Sequence, residues 1–180
     1  MFITKINLNA DLIQIKQDLD TVLSLSEWGV ENQIGLVHRP ITKNNLWKDC
    51  VGSLYNRETD EELFKETEFT ELNKDVPEYT KGLLLSLAQQ CNFRLGRVRY
   101  MRLMPKTGLT VHEDTSERYH LVIDTNPFSY MVQVLHTGHV AGVCYKMHSD
   151  SYFYKVDTTK SHFVYNGGTT PRIHLVICPV

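Results

Sequence analysis

The spacing of apolar residues changes near the middle of the chain. Before residue 95 they recur mostly at helical intervals; beyond it they alternate with polar residues in short runs. Leu12, Ile15, Leu19, Val22 and Leu23 fall on one stripe and predict a helix over residues 10–25, with Asn9 as its cap. Tyr79, Leu83, Leu84, Leu87 and Cys91 make the stripe of a second helix over 77–90, with Pro77 in its first turn. Both helices are expected to brace one face of a sheet. Residues 2–8, 33–38 and 52–55 read as short strands. Between 58 and 75 apolar anchors are few, and the stretch reads as a solvated connection and a candidate lid. From Leu95 on the chain is strand and turn, with runs near 97–104, 109–113, 117–124, 129–136, 140–146, 151–156, 161–166 and 172–178. Lys106-Thr-Gly108, Asn126-Pro127, Thr137-Gly138, His148-Ser-Asp150 and Gly167-Gly168 mark turns between them. The pattern predicts a mainly β fold with flanking helices: a double-stranded β-helix, the cupin-like jelly roll.

Composition narrows the function classes. A chain of 180 residues makes one domain. Residues 1–95 are expected to give N-terminal support and a candidate substrate region, and 96–180 the β core. Nineteen basic against twenty-one acidic residues leave a net charge of −2, which gives no footprint for nucleic acid. No apolar run is long enough to span a membrane, and the first residues lack the apolar core of a signal peptide. Cys50, Cys91, Cys144 and Cys178 lie far apart, as free thiols in a reducing cytoplasm do. Cys144 and Cys178 fall in apolar strand patterns and read as small buried hydrophobes. His38 and Arg39 read as a surface loop, and His136, His139 and His148 as exposed turn residues.

The candidate chemistry lies in the second half. His112 and Asp114 are two residues apart, so on an extended segment both side chains point the same way while Glu113 points to the other face. His162 follows about fifty residues later on another strand, and Arg172 opens the last one. Two imidazoles and one carboxylate form a facial triad for Fe(II), leaving the opposite positions open to a bidentate oxo-acid and to dioxygen. An arginine fork suits the far carboxylate of such an acid. A lone His-x-Asp is commonly a surface turn, and a lone late arginine a solvated charge; the order and spacing of the four carry the weight.

Four stretches, 97–105 (RVRYMRLMP), 109–114 (LTVHED), 118–127 (RYHLVIDTNP) and 162–166 (HFVYN) through 172–177 (RIHLVI), resemble the aspartyl/asparaginyl β-hydroxylase family of Fe(II)- and 2-oxoglutarate-dependent oxygenases. The resemblance covers roughly residues 97–177. It implies a double-stranded β-helix, iron at His112, Asp114 and His162, and 2-oxoglutarate at Arg172. It also points to Arg118 and His120, because the family pattern carries Arg-x-His at the start of that strand. A small molecule or short peptide bearing an amino-acid-like group is the implied substrate, with dioxygen as co-reactant. The glycine that usually follows the proline is displaced here to Gly108.

Strand parity supports an inward-facing site. Arg118, His120 and Val122 share one face of their strand, and Arg172 and His174 one face of theirs. Buried cations without a partner are costly, and a bound dianion would offset them. His174 reads as a core histidine before a site residue, and an alternative ligand set would substitute His120. Two rivals remain at this level: another metal-dependent cupin-type enzyme that has no use for Arg172, and a non-catalytic jelly roll for binding or structure.

Overall fold

The computed structural model describes every residue except Arg57 and Gly138, and side chains outside residues 136–141. The expectations for His136, His139 and the Thr137-Gly138 turn lie outside the described residues. The elements in chain order are β1 (Ile3–Asn9), α1 (Leu12–Leu25), β2 (Gln33–Gly35), β3 (Val37–His38), α2 (Leu46–Asp49), β4 (Glu71–Leu72), α3 (Glu78–Cys91), β5 (Leu95–Leu103), β6 (Thr107–Gly108), β7 (Arg118–Asp124), β8 (Ser129–Thr137), β9 (His139–Tyr145), β10 (Tyr152–Val156), β11 (His162–Asn166) and β12 (Arg172–Pro179). They divide into two compact units. One comprises Met1–Asn9 and Arg102–Leu175, the other Ala10–Met101 and Val176–Val180.

In the first unit, β1, β10, β7 and β12 lie side by side in that order, and β6, β11, β8 and β9 form a second sheet. Their alternating sequences place one apolar row of each sheet inward. Val122 of β7 and Tyr154 and Val156 of β10 meet Met131 of β8 and Val164 of β11, with Phe2 and Met147 completing the cluster. Burying each such side chain contributes about 1.5–3 kcal/mol. Two antiparallel sheets over one core make the double-stranded β-helix that the pattern predicts.

The turn before β6 explains the displaced glycine. Lys106 adopts φ 58°, the left-handed region that favours glycine, directly after the proline where the family pattern has one. Gly108 is needed for a different reason. A Cβ there would stand 2.7 Å from the Val164 carbonyl oxygen on the paired strand β11.

In the second unit, the end of β12, then β5 and β2, are neighbours in one sheet, and α3 rests on β5 through Thr80 Oγ1 and Tyr100 Oη, 3.4 Å apart. α1 starts at Leu12, not residue 10, and its cap is Asp11 rather than Asn9. Asn9 is still the last residue of β1, whereas the Asp11 carboxylate accepts from the Ile13 and Gln14 N–H groups. Asp18 interrupts the apolar stripe and is nevertheless buried. Its Oδ2 accepts from the Thr80 N–H at 3.0 Å and from Thr80 Oγ1 at 2.6 Å, so one helix caps the first turn of the other. Pro77 is the residue before α3 and cannot cap it by side chain. Tyr79, expected in the buried stripe, lies at the surface and its hydroxyl accepts from the Asp11 N–H. Removing the carboxylate as Asp18→Ala leaves buried Thr80 donors unsatisfied. It is expected to cost about 2–3 kcal/mol in a denaturant melt; an unchanged midpoint would contradict this role.

Other polar residues expected in solvent are held inside this unit. Glu66 lies in the stretch that reads as a solvated connection, but it is buried in a two-point pair with Arg97, at 3.0 and 2.9 Å. A charged run conceals such a residue because its partner lies 31 positions away. His38 is also buried, 2.7 Å from Asn73 Oδ1 and 3.2 Å from Glu71 Oε2, and Arg39 pairs with Asp49 at 2.7 Å. Residues 52–55 form no strand, only a bridge from Tyr55 to Glu62. In the first unit Cys144 is exposed, because β9 is the outer strand of its sheet, while Cys178 of the second unit is buried; all four cysteines are free thiols. Among the described residues no helix is long and apolar enough to cross a membrane.

Candidate metal centre

The pattern predicts a strand over 109–113, and the structure has none there. Thr107 and Gly108 pair with β11, and the chain then leaves the sheet with Leu109 and Val111 exposed. It returns at one point. His112 and His162 exchange main-chain hydrogen bonds, both 2.9 Å, as an isolated bridge. One residue pair of local β geometry thus brings the first histidine beside the second. Two residues on, the Asp114 N–H donates to the Thr158 carbonyl at 2.8 Å.

This placement brings His112, Asp114 and His162 together, with one ligand atom from each within 4.8 Å of the others. The two rings lie 4.3 Å apart between centroids. Each imidazole is oriented in the same way. His112 Nδ1 is 2.8 Å from the Thr110 carbonyl and His162 Nδ1 is 2.9 Å from the Lys160 carbonyl. A carbonyl only accepts, so each Nδ1 carries the proton and each Nε2 keeps its lone pair for a metal. Asp114 Oδ2 lies 3.9 Å from His162 Nε2. Burial holds the His162 pKa below its ordinary value, with the neighbouring His112 adding to the effect. A neutral ring is the form that binds metal. Glu113 is outside this group; it is exposed and accepts from Ser161 Oγ at 2.5 Å.

Arg172, His174 and His120 form a second buried group in the same unit. Arg172 Nε donates to His174 Nε2 at 2.9 Å, and Nη2 lies 3.0 Å from His174 Nδ1. His174 Nδ1 is 3.3 Å from His120 Nδ1. Among the described residues no carboxylate pairs with Arg172, and burial pulls its pKa down to about 10. A lowering of that size corresponds to a burial cost on the order of 3 kcal/mol. Arg118 is buried as well, but its Nη1 is directed at Ser116 and the Glu117 carbonyl, and its Nη2 lies 3.4 Å from Asp114 Oδ1.

His174 is held well below its ordinary pKa of 6.5 by burial first, then by the charges of Arg172 and His120. The folded chain therefore refuses a proton that the unfolded chain takes up as pH falls below 6.5. Stability is full above that pH and declines below it, by up to about 1.4 kcal/mol per pH unit. The melting temperature of His174→Gln should accordingly fall less steeply on acidification than that of the unaltered protein; parallel slopes would contradict this.

Several contributors carry no signal in the sequence. The Thr110 and Lys160 carbonyls orient the rings through main-chain atoms that every residue type possesses. Phe2, from the start of the chain, stands 6.4 Å from the His162 ring and 5.1 Å from Tyr145. Only its apolar character was legible.

A family model described as Aspartyl/Asparaginyl beta-hydroxylase matches residues 9–178. Among solved structures, a prolyl-4-hydroxylase from Pseudomonas putida is similar at 10% identity and TM-score 0.54, over 99% of this chain and 91% of that one. A prolyl hydroxylase from Trichoplax adhaerens, in complex with a hypoxia inducible factor oxygen degradation domain peptide fragment, is similar at 11% identity and TM-score 0.51, over 99% of this chain and 83% of that one. At these identities the likeness is one of fold. An oxidoreductase of the 2OG-Fe(II) oxygenase family from Burkholderia pseudomallei matches at 13% identity and TM-score 0.47, over 59% of each chain, so this chain spans less than two thirds of that protein. No curated protein matches the chain.

Proposed function

Because the chain belongs to the aspartyl/asparaginyl β-hydroxylase family, we propose that it is an Fe(II)- and 2-oxoglutarate-dependent dioxygenase that hydroxylates a free amino acid or an Asp/Asn-type side chain of a short peptide. One observation carries the reading. A group of two imidazoles and one carboxylate shares its unit with a buried arginine that has no carboxylate of its own among the described residues. The donor set fits Fe(II), and the arginine fits one end of a dicarboxylate. When bound, iron with 2-oxoglutarate and dioxygen supplies the oxidising power: one oxygen atom enters the substrate C–H bond, and the keto acid leaves as succinate and CO2.

The remaining work belongs to the protein. His112 and His162 offer Nε2, since each Nδ1–H is held by a carbonyl. Asp114 supplies the one negative ligand. Arg172 grips the far carboxylate of 2-oxoglutarate, and the neutral His174 ring orients its guanidinium without adding charge. His120, in contact with His174, lines the same subsite. The apolar core beside His162, with the tilted Phe2 and Tyr145 rings in contact, keeps bulk water from that side. The peptide carried by the Trichoplax enzyme is a precedent for a short-peptide substrate in this fold.

The test is succinate release from protein supplied with Fe(II), 2-oxoglutarate and a panel of free amino acids and Asp- or Asn-containing peptides. The proposal expects one member to raise succinate above the substrate-free level and to gain one oxygen atom. Metal-loaded protein that consumes no 2-oxoglutarate with any member would speak against it.

A further inference from the structure

Asp114 sits on a loop, and a loop carboxylate has more freedom than one fixed on a strand. The loop is gripped from two sides. The Asp114 N–H donates to the Thr158 carbonyl at 2.8 Å, and Thr158 Oγ1 donates to the Ser116 carbonyl at 2.8 Å. A single residue in the turn between β10 and β11 thus holds the chain on both sides of Thr115, and Thr158 is only 1% exposed. From the start of β7, Arg118 Nη1 donates to the Ser116 carbonyl at 3.0 Å, to Ser116 Oγ at 2.6 Å and to the Glu117 carbonyl at 3.2 Å. Its other terminal nitrogen lies 3.4 Å from Asp114 Oδ1. The second oxygen, Oδ2, is the one that faces His162 Nε2.

We propose that Arg118 and Thr158 are positioning residues that turn one oxygen of Asp114 toward the metal, so that Arg118 serves the ligand loop and not the cosubstrate. This rests on the metal reading given above. The planar guanidinium reaches the Ser116 carbonyl through one arm and the carboxylate through the other, which a lysine ammonium cannot reproduce. With Oδ1 turned to the arginine, Asp114 would offer a metal Oδ2 alone. That leaves one more coordination position than a two-oxygen carboxylate would, which a site that must accept a two-oxygen chelator requires. Thr158 acts one step further out by fixing the main chain from which Asp114 projects.

Mn(II) affinity measured by EPR is the primary readout, with 2-oxoglutarate affinity at saturating Mn(II) as the second. Losing an outer contact of this kind lowers metal affinity about 10- to 100-fold. Thr158→Val, which keeps the size and removes the hydroxyl, is expected to fall in that range, and Thr158→Ser to restore the affinity. Arg118→Met should fall likewise and Arg118→Lys should not rescue it. Ser116→Ala, at a half-buried position, removes only the Oγ contact and should give a smaller loss in the same direction. At saturating Mn(II) the Arg118 variants should bind 2-oxoglutarate as the unaltered protein does. Unchanged Mn(II) affinity in Thr158→Val and Arg118→Met would overturn the proposal. So would an Arg118→Met protein that holds Mn(II) normally but loses 2-oxoglutarate, which would make this arginine a cosubstrate contact. If the unaltered protein bound no Mn(II), the metal reading itself would fall.

Discussion

His162→Ala is expected to abolish metal binding while leaving the fold intact. The two parts of that expectation have separate causes. The fold survives because the link between His162 and His112 runs through main-chain hydrogen bonds, both 2.9 Å, that alanine keeps. Binding should fail because His162 is the most buried of the three proposed ligands, and the group has no fourth member among the described residues. Outer contacts of metal ligands already account for about 10- to 100-fold in affinity, so loss of a ligand should exceed about 100-fold. Competition against a chelator would show it. An affinity for Mn(II) within tenfold of the unaltered protein would place the metal elsewhere.

The second large effect is expected at Arg172, and it separates cosubstrate from metal. Arg172→Leu should bind Mn(II) normally and lose 2-oxoglutarate. Truncating one member of a buried charge pair costs about 2–5 kcal/mol, or roughly 30-fold to a few thousand-fold in affinity. The substitution should not weaken the ligand-free protein, because it removes a buried guanidinium with no carboxylate partner among the described residues. This combination, lost ligand and undiminished melting temperature, would be unusual for a buried residue in a purely structural role. Calorimetric titration and a thermal melt read the two halves independently. Retained 2-oxoglutarate affinity would remove Arg172 from the cosubstrate subsite.

Residue type and strand parity made most of the first unit legible. β11 alternates cleanly, while β7 and β12 are buried on both faces, yet each carries its histidines or arginines on one face. Period-two patterns report what each face meets, so the sheets and the inward rows followed from them. The segment 109–113 failed for an instructive reason. Leu-Thr-Val-His-Glu alternates like a strand, yet Leu109 and Val111 are exposed, and beyond the Leu109 N–H bond to Val164 the segment meets β11 again only in the His112 bridge. Alternation cannot tell an apolar residue that packs from one that stays in solvent, and the partner of His112 lies fifty positions away.

Buried polar residues were the other blind spot. Asp18 reads as a gap in an apolar stripe, and its meaning depends on Thr80, sixty-two residues on. Glu66 reads as one charge in an acidic run, and its pairing with Arg97 accounts for a burial the run conceals. At the candidate site the same limit applies to Thr158 and Ser116. Their contribution runs largely through carbonyl groups, and a carbonyl leaves no mark in a sequence. Arg118 was visible as a residue of the site, but its contacts with Ser116 and Asp114 were not, and those contacts are what favour a positioning role for it.

The most direct measurement is an anaerobic titration of the Fe(II)-loaded protein with 2-oxoglutarate, following the weak visible charge-transfer band of the chelate. The account predicts a saturable band that is lost in Asp114→Ala and shifts to much higher 2-oxoglutarate concentration in Arg172→Leu. Iron that binds tightly yet gives no band at any 2-oxoglutarate concentration would contradict it.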